Sequence, residues 1–137
     1  LLPGGPFPSP YDDFWVTTGG YDLIIDDASH LPIHQLFTLR KLLPAVRPGG
    51  YFVVEDLETS YWNAKPTPNI YGLLLHGAGI GQPAPGNAVS KLKELVDVLF
   101  RWHIGLEDRL TVLGTDADHH IFELTFGAGL AIVQRAS

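Results

Sequence analysis

Apolar and polar positions along the chain sort into a small number of elements. From Tyr21 to Ile25 the run YDLII is short, mostly apolar and rich in β-branched residues, with Gly19-Gly20 before it and Asp26 after it. That pattern predicts a buried strand. Between Leu31 and Val46 the period changes. Ile33, Leu36, Phe37, Leu39, Leu42 and Leu43 recur at helical spacing, and Arg40 and Lys41 sit near the end, where cations suit the helix dipole. Pro48-Gly49-Gly50 then breaks the chain, and Tyr51 to Val54 predicts a second buried strand. Strand, helix and strand in so short a stretch make a βαβ unit with parallel strands and a right-handed crossover.

Beyond it, residues 63–86 are rich in Gly and Pro around an apolar Leu73-Leu74-Leu75. A loop of this length is expected to be either a lid or a floppy insertion. Asn87 or Ser90 is placed to cap a helix in which Leu92, Leu95, Val96 and Leu99 form an amphipathic stripe continuing to Trp102. Two strands, roughly His120–Phe126 and Leu130–Gln134, close the chain, and Gly127-Ala128-Gly129 between them predicts an antiparallel hairpin. Residues 1–20, with four prolines and four glycines, are expected to be irregular. The fold class is α/β.

Composition narrows the picture. A chain of 137 residues suits one domain with a real core, and an apolar fraction of 45% argues for a globular protein. The net charge of -6 and the lack of a basic stripe disfavour nucleic acid as a partner. The lack of cysteine excludes disulfides and thiolate metal sites. No apolar stretch reaches membrane-spanning length, and LLPGGPFPSP has neither the basic region nor the apolar core of a secretory signal. A cytoplasmic protein without membrane partners is expected. Methionine is absent even at position 1, so we read the chain as an excerpt of a longer product.

Candidate chemistry gathers at two strand ends. In parallel sheets, ligands collect beyond the carboxyl ends of the strands. Asp26-Asp27-Ala28-Ser29-His30 ends the first strand and Glu55-Asp56 ends the second, so one site is expected. Asp27, Glu55 and Asp56 offer hard oxygen donors suited to Mg²⁺. Glu55 and Asp56 can share an ion only if the strand stops and the backbone turns, which Leu57-Glu58-Thr59-Ser60 permits. Each acid taken singly also reads as a helix-capping loop carboxylate. His30 is the candidate general base, since imidazole exchanges protons near neutrality; its plain alternative is a helix cap. His34 shares a helical face with His30, but Leu31 stands where a zinc-protease motif has glutamate, so His34 is expected to support the site or pack the helix. Tyr61 and Trp62 are candidates for lining a substrate pocket, or ordinary packing aromatics.

With these residues in place, the chain resembles the C-terminal half of a class I S-adenosylmethionine-dependent methyltransferase. More narrowly, it is similar to the metal-dependent O-methyltransferases that act on sugars of macrolide antibiotics and to the related cephalosporin-hydroxylase-like proteins. The likeness rests on YDLIIDDASH with His34, on LLPAVRPGGYFVVEDLETSYW and on SKLKELVDVLF, and covers roughly residues 20–135. It implies a partial Rossmann-like fold, with residues 1–20 irregular and 21–137 forming the C-terminal half of the domain. It also implies S-adenosylmethionine and Mg²⁺ as cofactors. Asp27, Glu55 and Asp56 would hold the metal, His30 would act as base, and Asp26 and Ser29 would lie on the cofactor side.

In such a site the metal holds vicinal sugar hydroxyls while the base deprotonates one, and the oxygen attacks the sulfonium methyl in line. The family pattern also includes three earlier strands and a glycine-rich turn, which residues 1–20 do not supply. Gly77-Ala78-Gly79-Ile80-Gly81 follows no strand and reads as a flexible loop. The expected function is Mg²⁺-dependent O-methyl transfer to a hydroxylated small molecule. Two alternatives stay open. One is a non-catalytic module that docks a partner chain or a second copy at an exposed sheet edge. The other is a metal-dependent hydroxylase or hydrolase that uses the same carboxylates.

Overall fold

The run YDLIID becomes strand β1 (Tyr21–Asp26), and VRPGGYFVV becomes strand β2 (Val46–Val54). Between them runs helix α1 (Pro32–Leu42), and β1 pairs with β2 in parallel, as a crossover through one helix requires. The computed structural model describes residues 19–61, 87–104 and 111–137. Helix α2 (Ala88–Ile104), the single turn α3 (Thr115–Asp118), strands β3 (Ile121–Phe126) and β4 (Ala131–Arg135), and 3-10 turns at Leu43–Ala45 and, after β2, at Leu57–Tyr61 complete the described elements. The four strands form one mixed sheet in the order β1-β2-β4-β3. β3 and β4 are the expected antiparallel hairpin, and β4 also pairs antiparallel with β2.

Pro48-Gly49-Gly50 does not end the strand before Tyr51. β2 runs from Val46 through Val54, and the Pro-Gly-Gly segment is an irregularity within it. Pairing jumps from Tyr21↔Val46 to Leu23↔Tyr51, so Arg47 to Gly50 bulge out of the ladder. Pro48 has no N–H to give to the ladder, and Gly49 turns the chain at φ +79. Two other glycines admit close backbone approach: a Cβ at Gly20 would lie 2.5 Å from the Ala45 carbonyl oxygen, and one at Gly50 2.7 Å from that of Asp22. α1 stops sooner than the apolar period suggests. Pro44 cannot continue an α-helix, so Leu43–Ala45 tighten into a 3-10 turn. Arg135 secures that turn by donating from Nη1 to the carbonyls of Pro44 and Val46.

The core lies between one face of the sheet and the two long helices. Phe52, Val54, Ala131 and Val133 meet Leu39 and Leu43 of the first crossover and Leu92, Leu95 and Val98 of α2. Asn87 caps α2, its Oδ1 accepting the Ser90 N–H at 3.1 Å; Ser90 itself lies inside the helix. Val96 is exposed, because the buried stripe runs through Leu92, Leu95 and Val98 at intervals of three and leaves it to one side. Ile33 and Phe37 likewise point outward from α1.

The opposite face of the sheet differs from expectation. YDLII and YFVV read as strands buried on both sides, yet Leu23 and Ile25 are 51% and 53% exposed and Tyr51 is exposed beside them. Alternation puts these residues on the face away from the helices, which stands open among the described residues. No described helix is long and apolar enough to cross a membrane. The predicted loop over 63–86, the glycine run from Gly77, Trp62 and nearly all of the irregular opening segment lie outside the described residues.

The crossover makes a contrast between glycines measurable. Gly49→Ala adds a methyl into open space at positive φ, and should cost about 1 kcal/mol in urea denaturation. Gly20→Ala has the same backbone penalty plus a clash with the Ala45 carbonyl, so its loss should exceed that of Gly49→Ala by a further ~1–3 kcal/mol. Equal losses in the two variants would show that the close approach at Gly20 relaxes freely.

Candidate functional site

The ends of β1 and β2 are locked side by side. Asp26 pairs with Val54, and the Glu55 N–H donates to the Asp26 carbonyl at 3.0 Å, extending the ladder one residue past β2. Both chains then turn sharply. His30 has φ +55 and Asp56 φ +52, the two non-glycine residues with positive φ among the described residues. Side chains other than glycine enter this region at a cost of about 1–2 kcal/mol, and such conformers concentrate at functional sites. Here the two turned residues meet: His30 Nε2 lies 2.9 Å from Asp56 Oδ2 and 3.1 Å from Asp27 Oδ1.

One ligand atom from each of Asp27, His30 and Asp56 falls within 4.8 Å of the others. Atoms bound to one hard divalent cation lie at most two bond lengths apart, roughly 4 to 5 Å. Two carboxylates and an imidazole at this spacing therefore fit a divalent ion in both chemistry and size. Exposure is graded across the cluster: the Asp27 side chain is 60% exposed, that of Asp56 40% and that of His30 17%. The cluster thus opens to solvent on the Asp27 side and backs onto protein at the imidazole.

The other predicted residues take different positions. Glu55 is not part of the three-residue cluster; it lines an open cleft of about 430 Å³ with Asp56, Glu58, Gly129 and Leu130. Asp26 alternates inward from Asp27 and is buried, and its Oδ2 has no hydrogen-bond partner among the described residues. Ser29 Oγ lies 2.8 Å from His34 Nδ1 and accepts the Leu31 N–H at 3.4 Å, so both residues brace the start of α1. Tyr61 is half-buried and lines an apolar cleft of about 390 Å³ with Leu57, Val89, Phe126 and Leu130. Glu58, Gly129 and Leu130 border both clefts, so the apolar one adjoins the carboxylate one.

Sequence reasoning missed two features. The hairpin turn belongs to the site, because the Leu57 N–H donates to the Gly129 carbonyl at 2.8 Å and draws the turn over the end of β2. Gln35 is the other. It is buried on the inner stripe of α1, and its Nε2 donates to the Glu55 carbonyl at 2.8 Å. A signal for it existed: Gln35, Leu39 and Leu43 recur every four residues, so one polar residue interrupts a buried stripe.

No family model matches the chain. Among curated proteins it is 32% identical over 128 residues to the 8-demethyl-8-alpha-L-rhamnosyl tetracenomycin-C 2'-O-methyltransferase of Streptomyces olivaceus, covering 93% of this chain. It is 36% identical over 81 residues, 59% of the chain, to the Mycinamicin VI 2''-O-methyltransferase of Micromonospora griseorubida. Among solved structures, it superposes with a TM-score of 0.66 and 28% identity on the MycE methyltransferase of the mycinamycin biosynthetic pathway in complex with Mg and SAH, over 90% of this chain. The chain matches a segment of the S-adenosylmethionine-dependent macrolide and tetracenomycin-type O-methyltransferases.

Relative to these O-methyltransferases it is short: the chain spans 30% of the length of the first relative and 18% of the second. Its fold is a partial mixed α/β Rossmann-like methyltransferase fold, with a βαβ core and C-terminal strands. The MycE methyltransferase has also been solved with Mg, SAH and Mycinamycin VI together, and the chain superposes on that complex with a TM-score of 0.61.

The left-handed turn at His30 gives a direct test of the local geometry. His30→Gly and His30→Ala both remove the imidazole, but alanine retains a strained φ where glycine does not. Thermal denaturation should find the glycine variant more stable than the alanine variant by about 1 kcal/mol. The reverse order would mean that His30 does not occupy the left-handed region in solution.

Proposed function

We propose that this chain carries the metal and acceptor side of a Mg²⁺-dependent, S-adenosylmethionine-dependent O-methyltransferase acting on a hydroxylated small molecule of the macrolide-sugar class. The observation that carries the reading is the meeting of Asp27, His30 and Asp56 at two paired strand ends, in a segment similar to enzymes named for sugar O-methylation. Residues 21–137 are then the C-terminal part of the methyltransferase domain, in a cytoplasmic protein.

Each residue has a role in this reading. Asp27 and Asp56 hold the cation, with Glu55 as the third carboxylate at the same strand end. Asp26, whose buried Oδ2 has an unused acceptor position, and Ser29 lie on the S-adenosylmethionine side. When bound, S-adenosylmethionine supplies an electrophilic methyl group and Mg²⁺ stabilises negative charge on the acceptor oxygen. His30 is the base toward the acceptor hydroxyl in this reading. The carboxylates of Asp27 and Asp56 flank its Nε2 and hold the ring in place.

The clefts match an amphipathic acceptor. Glu55, Asp56 and Glu58 offer acceptors for sugar hydroxyls, while Leu57, Tyr61, Phe126 and Leu130 provide an adjoining apolar wall for the rest of the molecule. A partner chain or second copy at the exposed sheet edge is a further element of the proposal, and β1 is an end strand of the described sheet.

Calorimetric titration with Mg²⁺ separates the roles. Asp27→Asn should weaken binding at least tenfold, as expected for loss of a charged ligand. His30→Ala should abolish methyl transfer by the intact enzyme and leave Mg²⁺ affinity within a few fold. A large loss of affinity in His30→Ala would make the histidine a ligand and not the base. Metal binding should also stabilise the fold, by about 2.7 kcal/mol when free Mg²⁺ is a hundred times its Kd. A melting temperature indifferent to Mg²⁺ and Mn²⁺ would remove the metal site.

A further inference from the structure

Gln35 is the polar member of an otherwise apolar stripe, one turn before Leu39 and two before Leu43, and it is only 3% exposed. A primary amide so deeply buried is costly unless its groups are used. Its Nε2 is used. It donates to the Glu55 carbonyl at 2.8 Å and makes a longer contact, 3.5 Å, to the Asp56 carbonyl.

Those two carbonyls belong to the peptide units on either side of the Asp56 Cα. Holding both fixes the rotations φ and ψ at that residue, and φ there is the left-handed +52. Thr59 supports the same turn from the other side, its Oγ1 donating to the Asp56 carbonyl at 3.1 Å. Gln35 differs from Thr59 in its anchor. It stands in the first turns of α1, where its own N–H donates to the Leu31 carbonyl at 2.9 Å, next in sequence to His30. One side chain therefore links the backbone that carries His30 to the backbone that carries Asp56.

We propose that Gln35 is a positioning residue. By clamping the two peptide units around Asp56, it sets the Asp56 carboxylate against His30 and Asp27, and so sets the geometry of the cation site. It acts through the backbone, not on the ion or substrate. The inference rests on the metal-site reading given under Proposed function.

The test is a Mn²⁺ titration of this chain, followed by electron paramagnetic resonance of the free and bound ion. Gln35→Met keeps the length of the side chain and removes the donor. Its affinity for Mn²⁺ should fall 10- to 100-fold, the range seen when groups that orient metal ligands are lost. The zero-field splitting of the remaining bound ion should change as well, which a mere loss of fold stability does not produce. Wild-type affinity and an unchanged spectrum in Gln35→Met overturn the inference while leaving the metal site intact. A wild-type chain that does not bind Mn²⁺ instead overturns the metal-site reading and this inference with it.

A second measurement needs no variant. In the wild-type chain the Gln35 side-chain amide, observed by NMR, should exchange slowly with solvent and shift when Mg²⁺ is added. Exchange as fast as that of a solvent-exposed glutamine overturns the clamp even if Gln35→Met fails to fold.

Discussion

Parallel pairing of Asp26 with Val54 is the constraint on which the geometry of the site depends. It brings two strand ends to the same level of the sheet, and the bond from the Glu55 N–H to the Asp26 carbonyl keeps them there for one more residue. Only then do the two chains turn, each through a left-handed residue, so that His30 and Asp56 face each other. A shift of register by one residue would send Asp27 to the buried face and Asp26 outward, because side chains alternate along a strand. The carboxylates would then no longer flank the imidazole.

Backbone strain at Asp56 is sustained by hydrogen bonds that overdetermine the turn. The Asp56 carbonyl accepts from Thr59 Oγ1, the next peptide N–H is bound to Gly129, and Gln35 holds the unit before it. The contacts come from three places in the sequence: α1, the turn after β2 and the hairpin. Such a site can form only after the sheet has assembled. It also explains why the hairpin, which carries no candidate ligand, matters to the chemistry: its Gly129 carbonyl fixes the exit path of the chain from β2.

The sheet has a covered side and an open one. Packing of α1 and α2 against Phe52, Val54 and Val133 buries a dry core, while Leu23, Ile25 and Tyr51 on the reverse meet solvent in the described structure. A Rossmann-like sheet normally carries helices on both faces. The apolar content of YDLII thus suits a strand whose second face has a cover of its own.

Much of this was legible in the residue pattern. Periodicities of two and of three to four are local properties, and they sufficed for the parallel βαβ unit, the capped helix at Asn87 and the terminal hairpin. The neighbouring positions of DDASH and Glu55-Asp56 followed from the rule that parallel strand ends are adjacent, and the motifs themselves carried the resemblance to methyltransferases. Solvent exposure of β1, the bulge at Pro48-Gly49-Gly50 and the outward position of Val96 did not follow, because each depends on what packs against the element. The same holds for the cluster: sequence named three acids and a histidine, and tertiary structure drew Asp27, His30 and Asp56 together while setting Glu55 along the adjacent cleft. Asp56 reaches the imidazole through a left-handed turn that a local bond from Thr59 and a distant one from Gln35 both support, and the distant one exists only once α1 has packed against the end of β2.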